Sequence, residues 1–147
     1  MIGQQNILPT NEPLALARMD NIGIAVQDVH VIHTFYTQVL GIQTTPIGPY
    51  DTMFIGKLAD IEFYVFQTSS IQRTKRTVTT YLTNPPGYDH LVFLTHDIQQ
   101  IERQLLTHHV PLEDQGEMPL LDGTTGKYCR FRDPEGNLIG VMQRIRS

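Results

Sequence analysis

The chain has 147 residues, 40% of them hydrophobic and 18% charged, which suffices for one domain with a real core and excludes a disordered polymer. A formal net charge of -4 and a pI near 5.8 provide no general attraction to phosphate backbones or anionic lipids, so small molecules or protein are the expected partners, not nucleic acid or membrane. The single cysteine, Cys129, excludes an intramolecular disulfide framework; with no basic-then-apolar leader over residues 1–13 and no apolar run near ~20 residues, a cytoplasmic protein is expected.

In chain order, residues 1–13 are polar, end in Asn11-Glu12-Pro13 and show no sustained periodicity, and 1–17 read as an arm. From Asn21 the pattern changes: Ile22, Ile24 and Val26 alternate with Asn21, Gly23 and Ala25, the period-2 mark of a strand. Asp28 can cap a helix in which Ile32, Phe35, Tyr36 and Val39 recur at helical spacing, and Gly41 ends it. Beyond Gly48-Pro49-Tyr50-Asp51, two further strands are expected at 52–55 and 61–67, joined through Gly56-Lys57. Residues 68–89, with Arg73, Lys75, Arg76 and Pro85-Pro86-Gly87, form a charged linker.

The same unit then returns. His90 to Asp97 (HLVFLTHD) repeats the layout of Asn21 to Asp28 (NIGIAVQD), with the capping Asp at the same distance and no gap. Ile98, Ile101 and Leu105 share a helical face, a strand is expected near 110–112, and Asp122-Gly123-Thr124-Thr125-Gly126 reads as a glycine-rich loop. The chain closes on Tyr128 to Gln143 (YCRFRDPEGNLIGVMQ), a hairpin whose turn is Asp133-Pro134-Glu135-Gly136. The endings of the two units pair as Val65-Phe66-Gln67 and Val141-Met142-Gln143. Units 21–67 and 90–143 are each too small to bury a sheet alone and must pack on one another or on a second chain.

The DPEGN turn after an aromatic strand, Phe35-Tyr36 followed by Val39-Leu40-Gly41, and the repeated strand-to-Asp spacing together resemble the vicinal oxygen chelate superfamily, which contains glyoxalases, extradiol dioxygenases and bleomycin resistance proteins. The resemblance covers residues 18–145. It implies an α+β fold of two βαβββ repeats forming paired, cup-shaped mixed sheets with helices outside, a ligand inside the cup, and commonly a homodimer. In catalytic members the resemblance further implies a divalent metal held at the start of the first strand and within the last strand of each unit. Those positions are here Asn21, His90, Gly140 and Tyr64, with Glu62 two residues before Tyr64 on the same face.

A divalent ion that keeps room for substrate needs about three imidazole or carboxylate ligands, and Asn, Tyr and Gly are poor replacements. The expectation is therefore a degenerate metal site and no resident cofactor, with His90 and Glu62 as the residues that would hold a weakly bound ion if one were present. The leading reading is a protein that binds a small organic ligand in its cup. The alternative is a lyase, isomerase or dioxygenase-type enzyme of the same superfamily, in which His90, Glu62 and Tyr64 are the catalytic candidates through that ion or by acid-base chemistry. Asn21, Tyr128 and Arg130 are the ligand-binding candidates. If Cys129 and Phe131 face the helices, alternation turns Tyr128 and Arg130 to the cup, where an Arg could grip an anion; the competing role for Arg130 is a rim pair with Asp133 or Glu135. His30, His33, His108 and His109 read as surface residues on helices, and no Gly-x-Ser-x-Gly, phosphate-binding loop or Cys-x-x-Cys is present.

Overall fold

The computed structural model describes residues 12–48, 51–73 and 75–146; most of the expected arm lies outside them. The first half runs β1 (Asn21–Val26), α1 (Val29–Thr34), β2 (Gln43–Thr44), β3 (Met53–Leu58) and β4 (Ile61–Gln67). The second runs β5 (Leu91–Leu94), α2 (Ile98–Thr107), β6 (Asp114–Pro119), β7 (Thr125–Arg132) and β8 (Leu138–Ile145). Each half folds into a four-stranded mixed sheet, ordered β1-β4-β3-β2 and β5-β8-β7-β6, in which only the first and last strands of the half run parallel.

The two helices begin in the same way. Asp28 accepts from the amides of His30 and Val31, and Asp97 from that of Gln100, so both are side-chain caps. A second acceptor comes from the last strand of each half: Gln67 Oε1 takes the Val29 amide at 3.1 Å and Gln143 Oε1 the Ile98 amide at 2.9 Å. α1 widens into a π turn over Phe35–Val39, and Gly41, at φ 68°, lets the chain reverse.

Strand alternation sets the core. Phe63 and Val65 of β4 and Cys129 and Phe131 of β7 are buried, and they join Val29, Ile32, Tyr36, Ile98 and Leu105 from the helices in one apolar cluster. The halves meet through it: Phe63 packs on Phe93 with ring centroids 5.9 Å apart, and Phe35 on Phe131 at 6.4 Å. The turn of the closing hairpin adds a polar clasp, because Glu135 accepts from the amides of Gln27 and Asp28 at 2.8 and 2.7 Å and pairs with Arg73 at 2.9 Å.

Three expectations need correction. β3 runs through Gly56-Lys57, and the reversal falls at Ala59-Asp60; Gly56 is small because a Cβ there would come within 3.2 Å of Ile42 Cγ2. Residues 110–112 are not a strand: the strand is β6, further on. The glycine-rich loop is shorter than expected, since Thr125 and Gly126 already belong to β7. The two-residue β2 had no counterpart in the sequence reading.

Candidate functional site

The register makes the halves comparable residue by residue. Ile22 lies opposite Phe63 in the first sheet and Leu91 opposite Ile139 in the second, which makes Asn21 and His90 equivalent, and likewise Tyr64 and Gly140. Asn21 opens β1, whereas His90 stands one residue before β5. Both line a cleft of about 590 Å³ between the two halves, floored by apolar side chains of β1, β5 and β8 and rimmed by the linker. A cleft of this size falls within the range of small-molecule sites.

His90 is held from one side. Its Nδ1 stands 2.8 Å from Asp89 Oδ2, and because a carboxylate only accepts, that nitrogen carries the proton and Nε2 is left as the acceptor of the neutral ring. The bond from His90 keeps the Asp89 carboxyl below its usual value, and Asn84 and Arg76 act in the same direction. Asp89 carried no signal in a sequence scan for ligand positions, since it precedes the strand; only its adjacency to His90 could have flagged it. Arg73 and Arg76, which the sequence placed in a solvated linker, stand at the rim of the cleft. Arg73 pairs with Glu135, and Arg76 bonds the Pro85 carbonyl and lies 3.6 Å from Asp89.

The other candidates do not line this cleft. Glu62 and Tyr64 lie on the outward face of the first sheet, beside Asn21 in register, and the Tyr64 hydroxyl donates to Glu62 Oε1 at 3.1 Å. That bond, followed by the charge of Glu62, raises the phenol's pKa. Tyr128 and Arg130 lie on the outward face of the second sheet, opposite buried Cys129 and Phe131. Arg130 spreads its guanidinium 5.1 Å from the Tyr128 ring centroid, and its Nε is 3.9 Å from Asp114, so its acidic neighbour is on β6 and not in the hairpin turn. Gly140 is not beside open space: a Cβ there would stand in ordinary contact with Val92 Cγ2 at 3.4 Å, the Cys129 carbonyl at 3.6 Å and Arg130 Cγ at 3.7 Å. The cleft therefore takes Asn21 and His90, and the two outward faces take Glu62 with Tyr64 and Tyr128 with Arg130.

Among the described residues, no three of His, Cys, Asp or Glu stand close enough to hold a metal ion. The donor set does not fit the divalent centre of catalytic relatives, since Tyr64 is committed to Glu62 and Gly140 offers no donor. Burial raises the Cys129 thiol to about 11, which keeps it protonated and inert. His33 is no surface residue in the sense expected, because its Nε2 reaches Thr44 Oγ1 and the Thr45 carbonyl, both at 3.0 Å, and its ring stands edge-on to Phe54.

A family model described as Glyoxalase/Bleomycin resistance protein/Dioxygenase superfamily matches residues 18–141. No curated protein matches. Among solved structures, the chain is similar to a virulence protein from Salmonella typhimurium (22% identity, covering 90% of this chain and 100% of that one, TM-score 0.67). It is also similar to an antibiotic binding protein from Streptomyces (22% identity, 90% and 99% covered, TM-score 0.63) and to lactoylglutathione lyase from Agrobacterium tumefaciens (16% identity, 88% and 96% covered, TM-score 0.62). These likenesses concern the fold. No helix among the described residues is long and apolar enough to cross a membrane.

Proposed function

Because the chain belongs to the glyoxalase, bleomycin resistance protein and dioxygenase superfamily, we propose that it is a binding member of that family, holding a small organic molecule without a resident metal. The observation that supports this reading is the cleft between the halves, lined by Asn21, His90 and apolar walls, while the remaining metal positions offer Tyr64 and Gly140. Apolar walls with a few converging polar groups favour a neutral organic body over an ion. A Streptomyces protein of the same fold is described as antibiotic binding, which gives the reading a precedent.

One observation favours a second reading. Asp89 fixes the tautomer of His90 so that Nε2 is a free acceptor at the cleft, the arrangement of an oriented general base. On that reading the protein is a lyase or isomerase that moves a proton without a metal.

Native mass spectrometry of protein purified without an affinity tag or chelator tests both. A co-purifying organic mass that is lost in His90→Trp, which fills the cleft, supports binding there. A stoichiometric divalent ion that survives dialysis and disappears in His90→Ala would refute the metal-free reading. Turnover of a bound compound by the wild type and not by His90→Gln would move the protein to the enzyme class.

A further inference from the structure

Deep in the same cleft stands a residue that the sequence marked only as core. The Tyr36 side chain is 1% exposed, and its ring is fixed edge-on by Phe54 and Phe63, at centroid distances of 5.9 and 6.0 Å. Tyr36 lines the cleft, and its hydroxyl has no hydrogen-bond partner among the described residues, Asp133 acting on it only through charge. Among the described residues no fully enclosed side-chain polar atom lacks a partner, which fits a hydroxyl that borders the cleft its residue lines.

The neighbours do not compete for it. Asp133 is buried beside the cleft, but its Oδ1 accepts the amides of Glu135 and Asn137 and its Oδ2 the Asn137 carboxamide. Burial, with the charge of Asp133 second, raises the Tyr36 pKa far above the ordinary phenol value, so the group is a proton donor at any physiological pH. The rim cations are balanced by acids, Arg73 by Glu135 and Arg76 by Asp89, so the cleft makes no net demand for an anion.

We propose that the Tyr36 hydroxyl is the recognition group of the cleft, and that the ligand is an uncharged, mainly apolar molecule whose single carbonyl or ether oxygen accepts from it. This rests on the reading of the cleft as the ligand site, and it adds the chemical class of the ligand. A donor locked by two aromatic neighbours loses no rotamer freedom on binding, so the bond it makes is retained in full as selectivity for an acceptor at that depth.

Two fluorescent probes test it: a dimethylaminonaphthyl ethyl ketone, and the same dimethylaminonaphthalene without the carbonyl. Wild-type protein should bind the ketone roughly three- to tenfold more tightly than the parent, the range of one neutral hydrogen bond. Tyr36→Phe, which removes no bond inside the protein, should abolish that preference and leave the affinity for the parent unchanged. Equal binding of both probes by wild type, with both displaced by Leu91→Trp at the cleft wall, overturns the role of Tyr36 and leaves the cleft reading intact. Binding of neither probe, or binding indifferent to Leu91→Trp, overturns both.

Discussion

Glu135 shows how one residue of a turn can hold two halves of a fold together. A hairpin turn needs only its backbone geometry, which Asp133 supplies by capping the amides of Glu135 and Asn137; the Glu135 carboxylate is then free to reach across to Gln27 and Asp28. Burial alone would push its carboxyl upward, but those two amides and Arg73 outweigh burial and hold it below the ordinary value of 4.5. A depressed carboxylate contributes stability that is fully present above its unfolded pKa and is lost as pH falls through its folded one. Glu135→Gln should therefore cost about 2 kcal/mol in urea unfolding at neutral pH, and the penalty should shrink as the pH drops below 4.5. A penalty of the same size at both ends of that range would mean that the charge is not what joins the halves. Cys129 makes a simpler prediction: with its thiol buried and raised to about 11, a disulfide reagent should label it only as fast as the protein unfolds. Rapid labelling in native conditions would show that β7 is not packed as described.

At the scale of elements, the repeat extends to interactions that no composition argument anticipates. Gln67 and Gln143 occupy the same place at the ends of β4 and β8, and each caps the helix of its own half through the first helical amide. Replacing either with Ala should cost about 1 kcal/mol, and replacing either with Glu should be neutral or stabilising, since a helix N-terminus favours negative charge. Thermal unfolding of the four variants checks this; a large effect in one half and none in the other would break the equivalence. The elements that the sequence made legible share a cause, and so do those it hid. β1, β4 and β7 each lay one face on the core, so their buried residues alternate, β8 is a continuous buried run from Leu138 to Val141, and the Asp caps mark both helices. β2 and β6 are the outer edges of the two sheets, and β6 (DQGEMP) is polar, with Gly116 and Pro119, so it carries no period-2 apolar signal. Val110 and Leu112 looked like a strand because they are apolar and alternate, yet they pack against the core from an irregular segment. The candidate site divides along the same line. Asn21 and His90 follow from the repeat, whereas the places of Asp89, Arg73, Arg76 and Tyr36 at the cleft depend on how a loop and a helix meet in space, which has no period to read.

For the molecule as a whole, the outward faces of the sheets carry apolar side chains in the open: Met53 and Phe66 of the first half and Val92, Leu94 and Met118 of the second are each 38% to 64% exposed. Sheet faces of this kind need cover, and the inward faces cannot supply it because they are already spent on the shared core. We propose that a second copy provides it, the outward face of the first half meeting that of the second half across a two-fold axis, so that one pairing generates two equal contacts and closes the assembly. Such a dimer would set Glu62 and Tyr64 of one chain near Tyr128 and Arg130 of its partner, recovering at the interface the convergence that a single chain does not make. Sedimentation at micromolar concentration should then give twice 16.7 kDa. Phe66→Asp and Leu94→Asp should each produce monomers, because each strikes one side of the same contact. Mixing Phe66→Asp with Leu94→Lys should give a mixed dimer that neither variant forms alone, because one pairing then sets opposite charges against each other and the other keeps the native Phe66 and Leu94. A wild-type species at 16.7 kDa throughout would leave both faces uncovered and remove the proposal, and a dimer that survives both aspartates would place its interface elsewhere on the chain.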